Sequence, residues 1–265
     1  MNTCAGLFSI QMEYQKTRLP AQERMNQMER VCAVIVAAGS STRMGGSVPK
    51  QLLKLCGEPL LVHTLRTFDQ SGCVDEAVLV CRQEDIPMIG KLAKPFPKIR
   101  WIVPGGSTRQ ESVAAGVRAA GDCEIIAIHD GARPLVTQQE IAAVIADCKK
   151  WRASSLAVPV VDTIKEVDAE EFVTFTPNRS LLRAVQTPQV FFREEYEQAM
   201  EKARAAGKDF TDDCQLMEFS GRRVHLCMGR RSNLKVTTPE DLLYARAILE
   251  ERQRLQKEEN NRKDG

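Results

Sequence analysis

The sequence predicts an α/β protein built on an open, doubly wound, mostly parallel sheet. Apolar runs of strand length alternate with stretches of helical period from Val31 to about Trp151, the rhythm of parallel strands joined by crossover helices. Polar clusters follow several of these runs directly, where open α/β sheets place their ligands. The 265 residues, 43% of them hydrophobic, suffice for one large core, or one core with a small appendage, so the chain reads as one domain.

Residues 1–30 are polar and rich in Met and Gln, and lack the charged start, apolar centre and small-residue cleavage site of a secretory signal. They read as a disordered or helical extension, with Met25 and Met28 as alternative starts. Residues 31–250 form the globular part. Its first strand, Val31–Ala37, breaks into the small residues Ala38-Gly-Ser-Ser-Thr-Arg43-Met-Gly45 and is followed by Val48-Pro-Lys50-Gln51. Such a loop can wrap a triphosphate while Arg43 and Lys50 face its charges. It fits neither G-x-G-x-x-G nor G-x-x-x-x-G-K-[ST], so it suggests nucleotidyl transfer rather than dinucleotide binding or a P-loop. A tight turn without a ligand is the alternative.

A helix over Pro59–Gln70, a strand over Glu76–Cys81, a helix over Asp85–Leu92 and a strand over Ile99–Val103 follow. Next comes Pro104-Gly-Gly-Ser-Thr-Arg109, feeding a helix over Ser107–Ala120 that carries Ser112. Helix N-terminal amides suit an oxygen ligand. Without one, this is a glycine turn with Ser107 at the N-cap. The very apolar strand Ile125–His129 ends in His129-Asp-Gly-Ala-Arg-Pro134. A carboxylate at a buried strand tip is costly without a cation. Arg133 is one candidate partner. A nucleotide-borne Mg²⁺ is the other, since that metal takes one or two carboxylates plus phosphate oxygens. His129 itself reads as a packed strand residue. A helix over Thr137–Trp151 opens on the capping box Thr137-Gln-Gln-Glu140, and a strand over Ser155–Val160 completes the series.

After Val160 the rhythm changes. Asp162–Val167 and Glu171–Phe175 flank Asp168-Ala-Glu170 and read as a hairpin within residues 160–182. Unable to bury both faces alone, it is expected as an arm against a second subunit, folding back on its own sheet being the alternative. Further polar clusters are Arg179 with Gln186-Thr-Pro-Gln189, and Asn233-Leu-Lys-Val-Thr237. Arg223–Cys227 and Asn233–Val236 read as a final strand pair, which sets Lys235 in a late strand. Thr238-Pro-Glu-Asp241 starts the last helix with Thr at the N-cap and Pro at its first position, and residues 251–265 are a charged tail that continues it before fraying.

Arg43, Lys50, Arg109, Arg133, Arg179 and Lys235 are more cations than one phosphate needs, which suits a reaction between two phosphorylated substrates. Composition excludes other classes. With 37 basic and 35 acidic residues, no basic stripe and 5% aromatics, no nucleic-acid partner is expected. No apolar run approaches the roughly 18 residues of a membrane span, so the protein is expected to be soluble. Nine cysteines, odd in number and without C-x-x-C, point to free thiols in a reducing, cytoplasmic setting.

In order along the chain, Ala37-Ala-Gly-x-x-x-Arg43-Met, Pro49-Lys-Gln51, Gly105-Gly-x-x-Arg-x-x-Ser112-Val, His129-Asp-x-Ala-Arg-Pro134, Asp162-Thr163, Gln186-Thr-Pro-Gln189, Thr211-Asp212 and Asn233-x-Lys-Val-Thr237 closely resemble the 2-C-methyl-D-erythritol 4-phosphate cytidylyltransferases of the non-mevalonate isoprenoid pathway. The resemblance runs from about Val31 to Glu250. It implies a Rossmann-like nucleotidyltransferase fold, a homodimer joined by a β-arm, and a Mg²⁺-dependent reaction of CTP with methylerythritol phosphate that releases pyrophosphate.

Position by position, the resemblance assigns Ala37, Ala38 and Gly39 to the CTP loop, and Arg43 and Lys50 to transition-state stabilisation. It assigns Gly106, Ser107 and Ser112 to the cytosine, and Asp130 to the α-phosphate and the metal, with Arg133 in support. Thr163 and Arg179 of the arm reach the methylerythritol phosphate of the neighbouring subunit, Thr187 and Thr211 also contact that substrate, and Lys235 positions the attacking phosphate. Some members carry an acid where Ser107 stands, which bears on the cytosine contacts. From the length after Glu250, the cyclodiphosphate synthase that is fused in some relatives is not expected here. Two alternatives stay open: a ribitol 5-phosphate cytidylyltransferase, which shares the CTP motifs, and a non-catalytic nucleotide-binding protein.

Overall fold

The computed structural model describes residues 29–39 and 49–263. The expectations for residues 1–28 and for Arg43 lie outside the described residues. In chain order the elements are β1 (Val31–Val36), β2 (Lys54–Leu55), β3 (Glu58–Pro59), α1 (Leu60–Gln70), β4 (Glu76–Cys81), α2 (Ile86–Ala93), β5 (Ile99–Pro104), α3 (Arg109–Ala119) and β6 (Ile125–Asp130). They continue with α4 (Gln138–Trp151), β7 (Ala153–Pro159), β8 (Glu166–Val167), β9 (Val173–Phe175), β10 (Arg183–Phe192), α5 (Arg193–Ala205), α6 (Asp213–Phe219), β11 (His225–Met228) and α7 (Pro239–Lys263).

Seven strands form one sheet in the order β11-β7-β10-β6-β1-β4-β5. β1 runs parallel to β4 and to β6, with Val34 opposite Val78 and Ile128. β10 is antiparallel to both its neighbours, β6 and β7. Because successive strand residues point to opposite faces, Val31, Ala33 and Ile35 join Leu61, Leu65 and Phe68 of α1 and Ile141, Val144 and Ile145 of α4 in one core layer. Cys32 and Val34 face the other way, onto Val113 and Val117 of α3, Tyr196 and Ala199 of α5 and Leu216 and Met217 of α6. Full burial is worth about 1.5–3 kcal/mol per large apolar side chain, so β1 is anchored from both sides and its C-terminal end is a rigid reference point. Chain order reverses between β1 and β6, and ligands of such sheets bind at that switch point beyond the strand ends.

The expected strands at Val31, Glu76, Ile99, Ile125 and Ser155 are present with ends shifted by at most two residues, and the expected helices lie in place. The Thr137 capping box is formed, Thr137 Oγ1 accepting from Glu140 N at 3.2 Å while Glu140 accepts from Thr137 N at 3.0 Å. Thr238 likewise accepts from Asp241 N at 3.2 Å, and α7 continues to Lys263.

Two expectations are corrected. Asn233–Val236 forms no strand. Asn233 is buried, its Nδ2 donating to Thr187 O of β10 and its carbonyl accepting from Arg133, and Val236 N donates to Ala132 O at 2.8 Å, so the segment is tied down by single bonds rather than by a ladder. Ser107 is not the N-cap of α3. Thr108 is, because Glu111 stands three residues after it and completes a reciprocal box. Five elements were not foreseen. β2 and β3 are only two residues long each. β10 hides behind Pro188 and a polar run, and α5 and α6 turn few apolar residues inward, α5 only Tyr196, Ala199 and Ala203 as buried positions.

The hairpin is present but shorter than expected, since only Glu166–Val167 and Val173–Phe175 pair. Asp168 Oδ1 accepts from Glu170 N and Phe172 N and closes its turn. Almost all of residues 160–182 is exposed, including Phe172 at 72% and Leu181 at 79%. Among the described residues, no helix is long and apolar enough to cross a membrane.

Candidate active site

Asp130 is the last residue of β6, with 9% of its surface exposed. Three cations from three parts of the chain surround it: Lys235 Nζ lies 2.8 Å from Oδ2, Arg133 Nε 3.9 Å from Oδ2, and Arg109 Nε 3.7 Å from Oδ1. Burial pushes the carboxyl up, but Lys235, then Arg109 and Arg133, outweigh it and hold the group well below the usual carboxylate range. The acid is therefore ionised at any physiological pH. The ion pair with Arg133 foreseen as a partner exists, yet it is the longest of the three.

Local packing explains why these groups meet. Asp130 N donates to Thr187 Oγ1 at 3.1 Å, which ties β6 to β10. The same hydroxyl lies 3.0 Å from His129 Nδ1, while His129 Nε2 faces Arg133 O at 3.2 Å. A carbonyl can only accept, so Nε2 carries the proton and Thr187 donates to Nδ1. Burial, opposed by Asp130, pushes His129 down to about 4, which keeps the ring neutral in this relay. His129 is the packed strand residue that the sequence suggests.

Lys235 is placed by its loop. Arg133 Nη1 donates to Asn233 O at 2.8 Å, Asn233 Nδ2 donates to Thr187 O at 2.9 Å, and Glu140 Oε1 accepts from Arg230 N at 2.9 Å. From outside, Arg252 of α7 donates to Leu135 O and to Ser232 Oγ. The small cluster of Leu55, Leu60, Leu135, Val236 and Ala245 packs α7 against the same loop.

Beside the acid, Ala37 to Gly39 leave β1 and meet the turn after β5. A Cβ on Gly105 would lie 2.5 Å from Ala38 Cβ and 2.7 Å from Ser112 Oγ, so only glycine lets the two loops touch. Ser112 is buried and accepts from Gly106 N at 3.1 Å while donating to Thr108 O at 2.9 Å; its hydroxyl shapes the turn. Ser107 is exposed, its N–H and hydroxyl both directed to Glu111 Oε2. Gly106 is exposed at the rim. A groove of about 980 Å³ lined by Thr108, Glu111, Arg118, Met200 and Arg204 runs outside α3 and α5 and includes neither Asp130 nor its cations.

Other expected residues lie apart from this cluster. Thr163 and Arg179 are exposed in the arm, where Arg179 Nη1 donates to Val161 O. Thr211 is exposed and bonds Gln215 at 3.3 Å at the start of α6. Lys50 begins a short 3₁₀ turn, Lys50–Leu52, and its side chain is not among those described. Asp213 and Tyr196 go unremarked in the sequence, where Glu140 reads only as part of a helix cap and Gln189 only as part of a polar cluster, which the structure places in β10.

No group of three or more His, Cys, Asp or Glu able to hold a metal occurs among the described residues. Asp130 nevertheless suits the one-carboxylate mode of Mg²⁺, which takes its remaining ligands from phosphate and water. Among the described residues its Oδ1 has only the 3.7 Å contact with Arg109, which leaves room for a cation at that oxygen. The eight cysteines among the described residues are free thiols, most of them buried.

Comparison with known proteins adds to this geometry. The model of the IspD family, described as 2-C-methyl-D-erythritol 4-phosphate cytidylyltransferase, matches residues 31–251. A relative of that name from Desulforamulus reducens is 44% identical over 229 residues, covering 85% of this chain and 98% of the relative. The crystal structure of the 4-diphosphocytidyl-2C-methyl-D-erythritol synthase of Anaerococcus prevotii aligns with a TM-score of 0.75 at 34% identity, covering 84% of this chain and 99% of that one. That of the 2-C-methyl-D-erythritol 4-phosphate cytidylyltransferase of Thermus thermophilus aligns with a TM-score of 0.70 at 31% identity, covering 84% and 100%. The similarity thus extends over nearly the whole length of each relative and spans both the strand ends that carry the acid and its cations and the arm. By sequence and by fold alike, the chain belongs to the 2-C-methyl-D-erythritol 4-phosphate cytidylyltransferase family.

Proposed function

We propose that this protein transfers CMP from CTP to 2-C-methyl-D-erythritol 4-phosphate, giving 4-diphosphocytidyl-2-C-methyl-D-erythritol and pyrophosphate. Beyond the family, the observation that carries the reading is the ionised Asp130 at the switch point, 2.8 Å from Lys235 and flanked by Arg109 and Arg133. An acid outnumbered by cations at a strand tip suits a site where several phosphates meet.

In this reading, an oxygen of the methylerythritol phosphate attacks the α-phosphorus of CTP in line. The bond from that phosphorus to the bridging oxygen breaks, and its electron pair leaves with pyrophosphate. The attacking phosphate is already ionised, so no strong general base is needed. Lys235, joined to Asp130, aligns the attacking phosphate. Arg43 and Lys50 meet the charge that builds on the non-bridging oxygens. Ala37 to Gly39 and the Gly105–Ser107 turn line the nucleotide, with Ser112 holding that turn. Mg²⁺, when bound by Asp130 and the CTP phosphates, lowers the charge that the reacting phosphates present to one another.

The exposed apolar residues of the arm, Val161, Ile164, Phe172, Val173, Phe175 and Leu181, support an isologous dimer in which each arm packs on the other protomer. Thr163 and Arg179 then serve the partner's site, beside that protomer's Thr187 and Thr211. A cytoplasmic location agrees with the free thiols.

The test is pyrophosphate release with Mg²⁺ and CTP, comparing methylerythritol 4-phosphate with ribitol 5-phosphate. Strong preference for the former is expected. Preference for ribitol phosphate would overturn the substrate assignment, and no release with either would overturn the enzyme reading.

A further inference from the structure

Behind Asp130 lies a second buried carboxylate. Asp213, the first residue of α6, is 2% exposed. Its Oδ1 accepts from the hydroxyl of the fully buried Tyr196 at 2.6 Å, and its N–H donates to Gln189 Oε1 at 3.0 Å. Its Oδ2 lies 2.7 Å from Arg109 Nη2, while the Nε edge of the same guanidinium stands 3.7 Å from Asp130 Oδ1. One cation is thus shared between an acid in the site and an acid behind it, and the shorter contact is with the acid behind. Across the array, Arg109, Arg133 and Lys235 face Asp130 and Asp213, a surplus of one positive charge.

We propose that Asp213 is a positioning residue that holds Arg109 back from Asp130, and that Tyr196 orients Asp213 for this role. Coulomb attraction falls with distance and is weakly screened in a buried site, so the guanidinium follows its nearer anion. While Asp213 holds it, Asp130 Oδ2 remains with Lys235, and this array contributes an excess of one charge toward the phosphates. Without the Asp213 charge, the nearest anion for Arg109 is Asp130. The guanidinium then closes on that acid and competes with Lys235, and the array's excess rises to two. Polyphosphates bind more tightly in the ground state while the attacking phosphate loses its aligned lysine. That combination lowers KM and turnover together.

The inference rests on the cytidylyltransferase reading, and wild-type pyrophosphate release checks that reading first. The inference itself is read from kcat and KM for CTP, and from calorimetric titration of pyrophosphate, which needs no turnover. For the isosteric Asp213→Asn, kcat should fall at least tenfold, while KM for CTP and the pyrophosphate Kd fall severalfold. Tyr196→Phe keeps the charges, so its kcat should fall severalfold with pyrophosphate Kd within twofold of wild type. The double variant Arg109→Gln with Asp213→Asn restores the surplus of one, removes a buried charged pair and should return pyrophosphate Kd to within twofold of wild type.

Pyrophosphate binding that weakens or does not change in Asp213→Asn would overturn the proposal. Should that variant not fold, a double variant whose pyrophosphate affinity departs from wild type, or a Tyr196→Phe protein that loses affinity and turnover in parallel, would overturn it equally. Absent release by the wild type would instead sink the reading and leave the titration to judge Asp213.

Discussion

The tip of β6 and the arm of residues 160–182 both carry residues assigned to the substrates, yet they are built in opposite ways. Around Asp130, bonds from β10, α3, the β6–α4 turn and the Lys235 loop converge on a buried acid. In the arm, two short strands pair only with each other, and Arg179 bonds a carbonyl of its own segment. The difference teaches that the core sets its charge positions through several elements, whereas the arm's cations Lys165 and Arg179 bond within their own segment and its apolar residues stand exposed. The proposed dimer would give this exposed segment a second surface.

The largest effect expected on the core side is that of Lys235→Ala. The side chain is 39% exposed, so folding should survive. Turnover should drop by about two orders of magnitude or more, comparable to removing one donor to a developing oxyanion. Steady-state kinetics checks this, and an unchanged kcat with a raised KM would reduce the lysine to ground-state binding.

Next in size is the acid response of the core. His129 titrates at about 4 in the folded protein against an ordinary 6.5, so the unfolded chain takes up a proton first as pH falls. Its contribution to stability is present above about pH 6.5 and is lost as pH drops toward 4. The full shift corresponds to on the order of 3 kcal/mol. Denaturant unfolding of wild type and His129→Gln across that window should show the pH slope flattened in the variant. Parallel slopes would remove His129 from the account.

Gly105→Ala is smaller, about 1–3 kcal/mol of destabilisation from overpacking, because the new Cβ meets Ala38 and Ser112. KM for CTP should rise with it as the two loops are forced apart. The least effect on the protomer's fold is expected in the arm. Phe172→Asp with Leu181→Asp should leave the far-UV spectrum unchanged and cost within about 0.5 kcal/mol per site, as surface substitutions do, yet sedimentation should show the dimer lost. A dimer that persisted would mean that the arm is not the interface.

Much of this contrast was legible in the sequence. The apolar runs of β1, β4 and β6 announce strands buried on both faces, and the His129-Asp-Gly-Ala-Arg133 cluster announces a charged strand tip. β10 was not legible, because Gln186-Thr-Pro-Gln189 is polar and contains proline, and its place is set by non-local ladders to β6 and β7, with Thr187 bonded to Asp130 and Asn233, rather than by local preference. The loop of Lys235 was misread as a strand for the converse reason. Leu234 and Val236 give it an alternating look, but Asn233 and Arg133 draw the backbone to the strand ends. Asp213 and Tyr196 carried no signal, since only the fold brings them to Arg109.

The most direct test of a site assembled from one core and another protomer's arm is complementation between two inactive variants. Lys235→Ala and Arg179→Ala dimers, each silent alone, should recover activity when unfolded together and refolded as a mixture. Random pairing makes half the dimers mixed, each with one intact site, so about a quarter of wild-type activity is expected. No recovery, with mixed dimers present, would contradict the shared site and return Arg179 to its own protomer.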